Sequence, residues 1–91
     1  MEFEYRKYKE TIFPIREIEI TNRDKTTYFY VGSETMQSLL IDEDGTPVDE
    51  YAQSLDEEIC YYIPHEELVT LTDKQILDYI YYHIDSEVFD L

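Results

Sequence analysis

The N-terminal part of the chain alternates apolar and polar positions with a period of two, which is typical of β-strands with one buried face. A first short strand is predicted over residues 3–8. Pro14 is expected to interrupt this pattern, because proline lacks the backbone N–H that strand pairing uses. A second strand is therefore predicted to begin near Ile15, with Ile18 and Ile20 on its buried face and glutamates on the other.

Two further strands are indicated by apolar runs. Residues 26–31 are β-branched or aromatic, so we expect a third strand that forms a hairpin with the second across the polar loop 21–25. Residues 59–63 form an apolar run closed by Pro64, which predicts a fourth, buried strand. Because Cys60 lies inside that run, it is expected to be a buried and inert thiol.

A short helix is predicted over residues 34–40, because Ser33 can cap its N-terminus and apolar residues follow at helical spacing. Residues 42–47 have the composition of a turn. The segment 48–55 is ambiguous, since its apolar residues share one helical face but the same segment fits a loop. The apolar residues of the short helix are Met36, Leu39 and Leu40.

The most clearly specified element is a C-terminal helix. Thr72 and Gln75 have the spacing of a capping box, in which each side chain accepts a hydrogen bond from the other residue's backbone N–H. An apolar stripe follows at helical spacing, on the side opposite Tyr82. Val69 and Leu71, before this helix, are expected to add a short segment paired with the sheet. The stripe comprises Ile76, Leu77, Ile80 and Ile84.

Together these elements predict an α+β fold. An antiparallel sheet of three to five strands is expected to pack on the C-terminal helix, with a second short helix near residues 34–40. Leu, Ile, Val and Phe make up 25 of the 91 residues, which is more than disordered acidic chains contain. At this length we expect a single domain, residues 1–91, with a small core.

The charge changes this picture, because it is large and unevenly distributed. The formal net charge is −15. Residues 1–25 balance six acids with six bases, so the rest of the chain carries the whole excess, sixteen acids against the single base Lys74. Such a chain repels nucleic acid and anionic membranes, so direct binding to either is not expected. Residues 26–73 contain twelve acids and no base, and most of them must face solvent or a basic partner.

Candidate catalytic and metal-binding motifs are weak. Residues 42–45 resemble a calcium loop only in composition, because Leu40 and Tyr51 would occupy the positions that need carboxylates. His65 and His83 lack zinc-motif spacing, and two glycines cannot build a phosphate-binding loop. We therefore expect no enzyme, no metal site and no cofactor. A weak, hydrated Mg²⁺ or Ca²⁺ site among clustered carboxylates stays open as an alternative.

The charge distribution favours a non-enzymatic acidic protein-binding module that docks on a basic partner protein. In its sharpest form the chain is an inhibitor that mimics nucleic acid. Carboxylates on alternate residues of a strand lie about 6.6 Å apart and resemble a row of phosphates, while tyrosines take base-stacking positions. An exposed tyrosine beside carboxylates also suits an interface. The expected partner-binding residues are Asp42, Glu43, Asp44, Asp49, Glu50, Glu57, Glu58 and Tyr82.

An alternative interpretation is a small structural or interaction domain, including a homodimer, whose charge only confers solubility. The single cysteine excludes an intramolecular disulfide. The N-terminus does not resemble a signal peptide, and no apolar stretch is long enough to span a membrane, so the cytoplasm is the expected compartment. The apolar contacts of this alternative would come from Tyr61, Tyr62, Tyr79 and Tyr82.

Overall fold

A computed structural model describes residues 3–84 of the chain, and within them the α+β fold is present. The strands are β1 (Glu4–Tyr8), β2 (Thr11–Asn22), β3 (Lys25–Ser33) and β4 (Ile59–Ile63). The helices are α1 (Glu34–Leu40), α2 (Glu50–Glu58), α3 (His65–Thr70) and α4 (Asp73–Tyr79), and a π-helical turn, Ile80–Ile84, follows α4.

The four strands form one sheet in which they lie in chain order. β1, β2 and β3 are joined by two tight turns and pair antiparallel, whereas β4 pairs parallel to β3. The sheet is mixed rather than entirely antiparallel, because α1 and α2 lie between β3 and β4 and return the chain so that β4 begins beside Tyr30 and runs in the direction of β3.

β2 is one continuous strand, and the expected interruption at Pro14 is wrong. The first part of β2 pairs with β1, where Pro14 lies opposite Tyr5. Pairing with β3 begins only at Arg16. Pro14 therefore lies where β2 has a single paired neighbour, which is the position in a sheet at which a missing N–H is tolerated.

Two apolar clusters form the core. Ile18 of β2 belongs to the first cluster and Ile15 to the second, and side chains an odd number of residues apart point to opposite faces of a strand. The sheet therefore has apolar partners on both faces. The first cluster comprises Ile18, Ile20, Phe29, Val31, Ile63, Leu68, Ile76 and Ile80. The second comprises Tyr8, Phe13, Ile15, Met36, Leu40, Ala52, Leu55 and Ile59.

Arg16 is a buried arginine, only 2 % exposed, that links β2 to the last two helices. Its Nη1 donates hydrogen bonds to the backbone carbonyls of Leu68 at 2.8 Å and Leu71 at 2.9 Å, at the C-terminal end of α3. Its Nη2 forms an ion pair with Asp73 in the first turn of α4. One guanidinium thus satisfies carbonyls that the end of α3 leaves without helical partners.

The helix boundaries confirm both predicted caps. The Oγ of Ser33 accepts a hydrogen bond from the amide of Met36, and Thr72 and Gln75 form the reciprocal capping box. The ambiguous segment 48–55 is resolved as well, because α2 begins at Glu50 and buries two apolar side chains. A short helix needs such local support, since its own backbone bonds stabilise it only marginally.

Several expected positions are corrected by the structure. Cys60 is exposed rather than buried, because β4 is the last strand of the sheet and only its two end residues are buried. Leu39 and Ile84 lie on predicted apolar faces but are 46 % and 44 % exposed. Val69 belongs to α3 and Leu71 caps that helix, so the paired segment expected there is wrong.

A candidate acidic surface

The acidic turn after α1 is held by its own backbone. The amide of Asp42 donates to the carbonyl of Thr46 at 2.9 Å, and Gly45 closes the turn with a φ of 78°, a conformation that favours glycine. One carboxylate oxygen of Asp42 accepts from the amides of Asp44 and Thr46 at 2.9 and 3.0 Å. Glu43 and Asp44 are exposed in the same turn.

The turn is joined directly to the start of α2. The amide of Val48 donates to the carbonyl of Leu40 at 2.8 Å, so the chain enters and leaves the turn side by side. From there α2 presents Glu50 and Glu57 to solvent, seven residues and therefore about 10 Å apart along the same helical face. We call the five residues of this region the turn–helix surface. It consists of Asp42, Glu43, Asp44, Glu50 and Glu57.

Asp49 is one of the predicted partner-binding residues, but both of its carboxylate oxygens accept hydrogen bonds from within the chain. It is the N-cap of α2, and its Oδ1 accepts a hydrogen bond from the amide of Ala52 at 2.7 Å. Its Oδ2 accepts from the hydroxyl of Tyr8 at 2.8 Å. The bond from the Ala52 amide, followed by that from Tyr8, lowers the pKa of Asp49.

Glu58 is likewise engaged within the chain. Its carboxylate forms an ion pair with Arg6 of β1, whose Nε lies 3.1 Å from Oε1, and it is only partly exposed. The same guanidinium lies over the ring of Tyr30, 5.4 Å from its centroid. The hydrogen bond to Glu58 raises the pKa of Arg6. Glu58 therefore has its counter-charge and is not an unpaired surface acid.

Tyr82 is 76 % exposed, but it lies apart from the other predicted site residues in the fold. It follows Ile80 of the first core cluster, whereas α1 and α2 pack in the second. Its ring meets that of Tyr81 edge to face, with centroids 5.0 Å apart. The other tyrosines considered for an apolar interface are half-buried against the two clusters. They are Tyr61, Tyr62 and Tyr79.

The charge balance of the middle segment follows from these contacts. Of the twelve acids in residues 26–73, all of which the structure describes, Glu58 and Asp73 form ion pairs with bases of the N-terminal strands. Nine of the twelve are exposed, so the excess negative charge lies at the surface. Among these acids, Asp42, Glu43 and Asp44 are consecutive in a turn that backbone hydrogen bonds hold in place.

Sequence reasoning missed a second group of acidic and aromatic side chains. Glu17 and Glu19 of β2 and Tyr28 of β3 are all exposed, and Glu19 and Tyr28 are cross-strand partners. The alternation of β2 predicted that these glutamates face solvent. Because residues 1–25 have zero net charge, the sequence did not indicate that the glutamates lack a basic partner. Two arginines of that segment are occupied elsewhere, Arg6 with Glu58 and Arg16 with Asp73.

Among residues 3–84, no three His, Cys, Asp or Glu side chains form a group that could hold a metal ion. None of the helices described is long and apolar enough to cross a membrane. No protein-family model, curated protein or solved structure matches the chain.

Proposed function

We propose that this chain is a non-enzymatic protein-binding module whose turn–helix surface occupies a basic site on a partner protein. In the specific form of this proposal, that site is one where the partner binds nucleic acid, so the module acts as an inhibitor. The supporting observation is that the exposed carboxylates of the turn–helix surface form no ion pair with a basic side chain among residues 3–84. We infer the cytoplasm as the compartment, since Cys60 is a free, exposed thiol.

Electrostatics explains why such a surface suits a basic partner. Unpaired carboxylates at the surface remain hydrated and therefore cost little in the free protein. Against a positive groove they steer the encounter and raise the association rate, and the effect falls as salt screens the charges.

The proposal is tested with purified, positively charged nucleic-acid-binding domains, each measured free and saturated with duplex DNA. We expect low-salt binding to the free form of at least one domain and competition by the duplex. Two variants with equal charge change locate the surface. The test variant is Glu43→Gln, Asp44→Asn and Glu57→Gln; the control is Glu34→Gln, Glu66→Gln and Asp78→Asn, whose residues lie in α1, α3 and α4.

The test variant should weaken binding at least about tenfold more than the control, because charges in direct contact contribute more than charges elsewhere on the surface. Equal weakening in both variants would show that only the net charge matters and would refute a defined surface. Absence of low-salt binding to every domain, or binding that the duplex does not compete, would refute the nucleic-acid-site form.

A second candidate function rests on exposed apolar side chains near the end of the described residues. Tyr82 and Ile84 are 76 % and 44 % exposed, which suits a homodimer contact. Sedimentation equilibrium at micromolar concentration distinguishes the two candidates. A dimer that dissociates on Tyr82→Ser and changes little with salt supports this candidate, whereas a monomer under all conditions excludes it.

A further inference from the structure

One face of the β2–β3 hairpin is open to solvent. On the opposite face, Ile18, Ile20 and Phe29 are buried in the first core cluster. On the open face, α1 and α2 pack with residues nearer the start of β2, such as Phe13 and Ile15, and leave the rest uncovered. We call this region the open sheet face. It consists of Glu17, Glu19, Thr21, Thr26 and Tyr28, all exposed.

The open sheet face places two glutamates of β2 beside a tyrosine of β3. Glu17 and Glu19 lie on the same side of β2, about 6.6 Å apart along the strand. Glu19 is directly opposite Tyr28, so their Cβ atoms lie about 5 Å apart. Within residues 3–84, neither glutamate has an ion pair with a basic side chain. Tyr28 is 60 % exposed beside them.

The same face already contains one occupied example of this chemistry. Tyr30, two residues along β3 from Tyr28, has the guanidinium of Arg6 over its ring, and Arg6 is ion-paired with Glu58. Arg6 is thus held by a tyrosine ring and a carboxylate together. Tyr28 and Glu19 repeat the ring and the carboxylate with no basic residue of residues 3–84 over that ring.

We propose that the open sheet face binds arginine side chains of a basic partner protein, with a guanidinium over Tyr28 and paired with Glu19 or Glu17. This inference rests on the proposed function and adds the chemistry of the partner. Charge complementarity identifies the occupant as cationic. Arginine fits better than lysine, because its planar guanidinium stacks on an aromatic ring and pairs with a carboxylate through two parallel hydrogen bonds.

The test uses two synthetic peptides of equal length and charge, one rich in arginine and the other with lysine at the same positions. Binding of each to the full chain is measured by titration calorimetry at low salt. We expect the arginine peptide to bind about two- to fivefold more tightly than the lysine peptide, because a guanidinium stacks on the ring and pairs with a carboxylate through two hydrogen bonds, a gain of the size of one exposed cation–π contact. Tyr28→Thr, which keeps a strand-forming residue, should remove this preference.

A pair of double variants locates the carboxylates. Glu17→Gln with Glu19→Gln should weaken both peptides more than Glu34→Gln with Glu66→Gln, which makes the same change in charge away from this face. Equal binding of the two peptides to the unmodified chain would overturn the inference, as would equal losses in the two double variants. Either result leaves the proposed function intact if the turn–helix variant still loses binding to a basic domain.

Discussion

The hydroxyl of Tyr8 donates a hydrogen bond of 2.8 Å to Oδ2 of Asp49, across 41 residues of sequence. This contact joins the end of β1 to the N-cap of α2, where the other carboxylate oxygen already accepts from the amide of Ala52. Asp49 therefore helps to position α2, which carries Glu50 and Glu57 on the face turned away from the core. The N-terminal strand thus supports the candidate surface without contributing charge to it.

The first prediction concerns stability in acid. The pKa of Asp49 is lowered, by the Ala52 amide first and then by Tyr8, so its stabilising effect is present above its unfolded pKa of about 4. It is lost as pH falls through the lower folded-state value. Asp49→Asn still caps the helix but does not titrate, so the urea midpoint of this variant should fall less between about pH 4 and pH 2. Parallel acid profiles for the two proteins would contradict this.

The second prediction concerns Arg16. Arg16→Met keeps the apolar stem but leaves the carbonyls of Leu68 and Leu71 without a donor, so we expect a loss of about 3 kcal/mol in the free energy of unfolding. Asp73→Asn should cost less than about 1 kcal/mol, because that carboxylate is largely exposed. Urea titration of both variants gives the comparison. A larger loss for Asp73→Asn would show that the ion pair, rather than the carbonyl contacts, is the main stabilising link between β2 and the helices α3 and α4.

The third prediction concerns the turn between β2 and β3. Arg23 has a φ of 60°, a left-handed conformation that glycine adopts without strain. Arg23→Gly should therefore unfold at higher urea than Arg23→Gln, with about 1 kcal/mol between them. The glutamine variant removes the same charge and is the appropriate control in a chain of net charge −15. Equal midpoints would mean that the turn relaxes at no cost.

The fourth prediction concerns alkaline pH. Burial, and then the hydrogen bond to Asp56, raise the pKa of Tyr62 above its ordinary value of 10. The neutral phenol is thus favoured in the folded state, and its contribution is lost as pH rises beyond the unfolded value and the unfolded tyrosine ionises. Tyr62→Phe should lose less stability than the unmodified chain between about pH 9 and pH 11. A steeper loss in the variant would contradict the assignment.

Local chemistry determined which parts of the fold were predictable. Ser33 and Thr72 are caps because each side chain accepts a hydrogen bond from the amide three residues further along, and the sequence contains that relationship. The direction of β4, the continuity of β2 at Pro14 and the exposure of Cys60 depend instead on which strand lies beside each segment. That neighbour is chosen by packing across the whole sheet and leaves no local signal.

The same distinction applies to the candidate surface. Charge counting identified the acids of the turn and of α2, because no nearby residue could neutralise them. It could not show that Glu58 forms an ion pair with Arg6, 52 residues away, or that Asp49 accepts a hydrogen bond from Tyr8. It also missed Glu19 and Tyr28, because a segment with balanced charge can still place its acids alone on one face of a sheet.

The central claim is that the carboxylates of the turn–helix surface bind a basic partner as a group. Its most direct measurement is the dissociation constant for a positively charged nucleic-acid-binding domain across a salt series. The unmodified chain, the variant changed at Glu43, Asp44 and Glu57, and the control changed at Glu34, Glu66 and Asp78 are compared. We expect the control to keep the salt dependence of the unmodified chain and the turn–helix variant to lose much of it. The same salt dependence in all three proteins would contradict the claim.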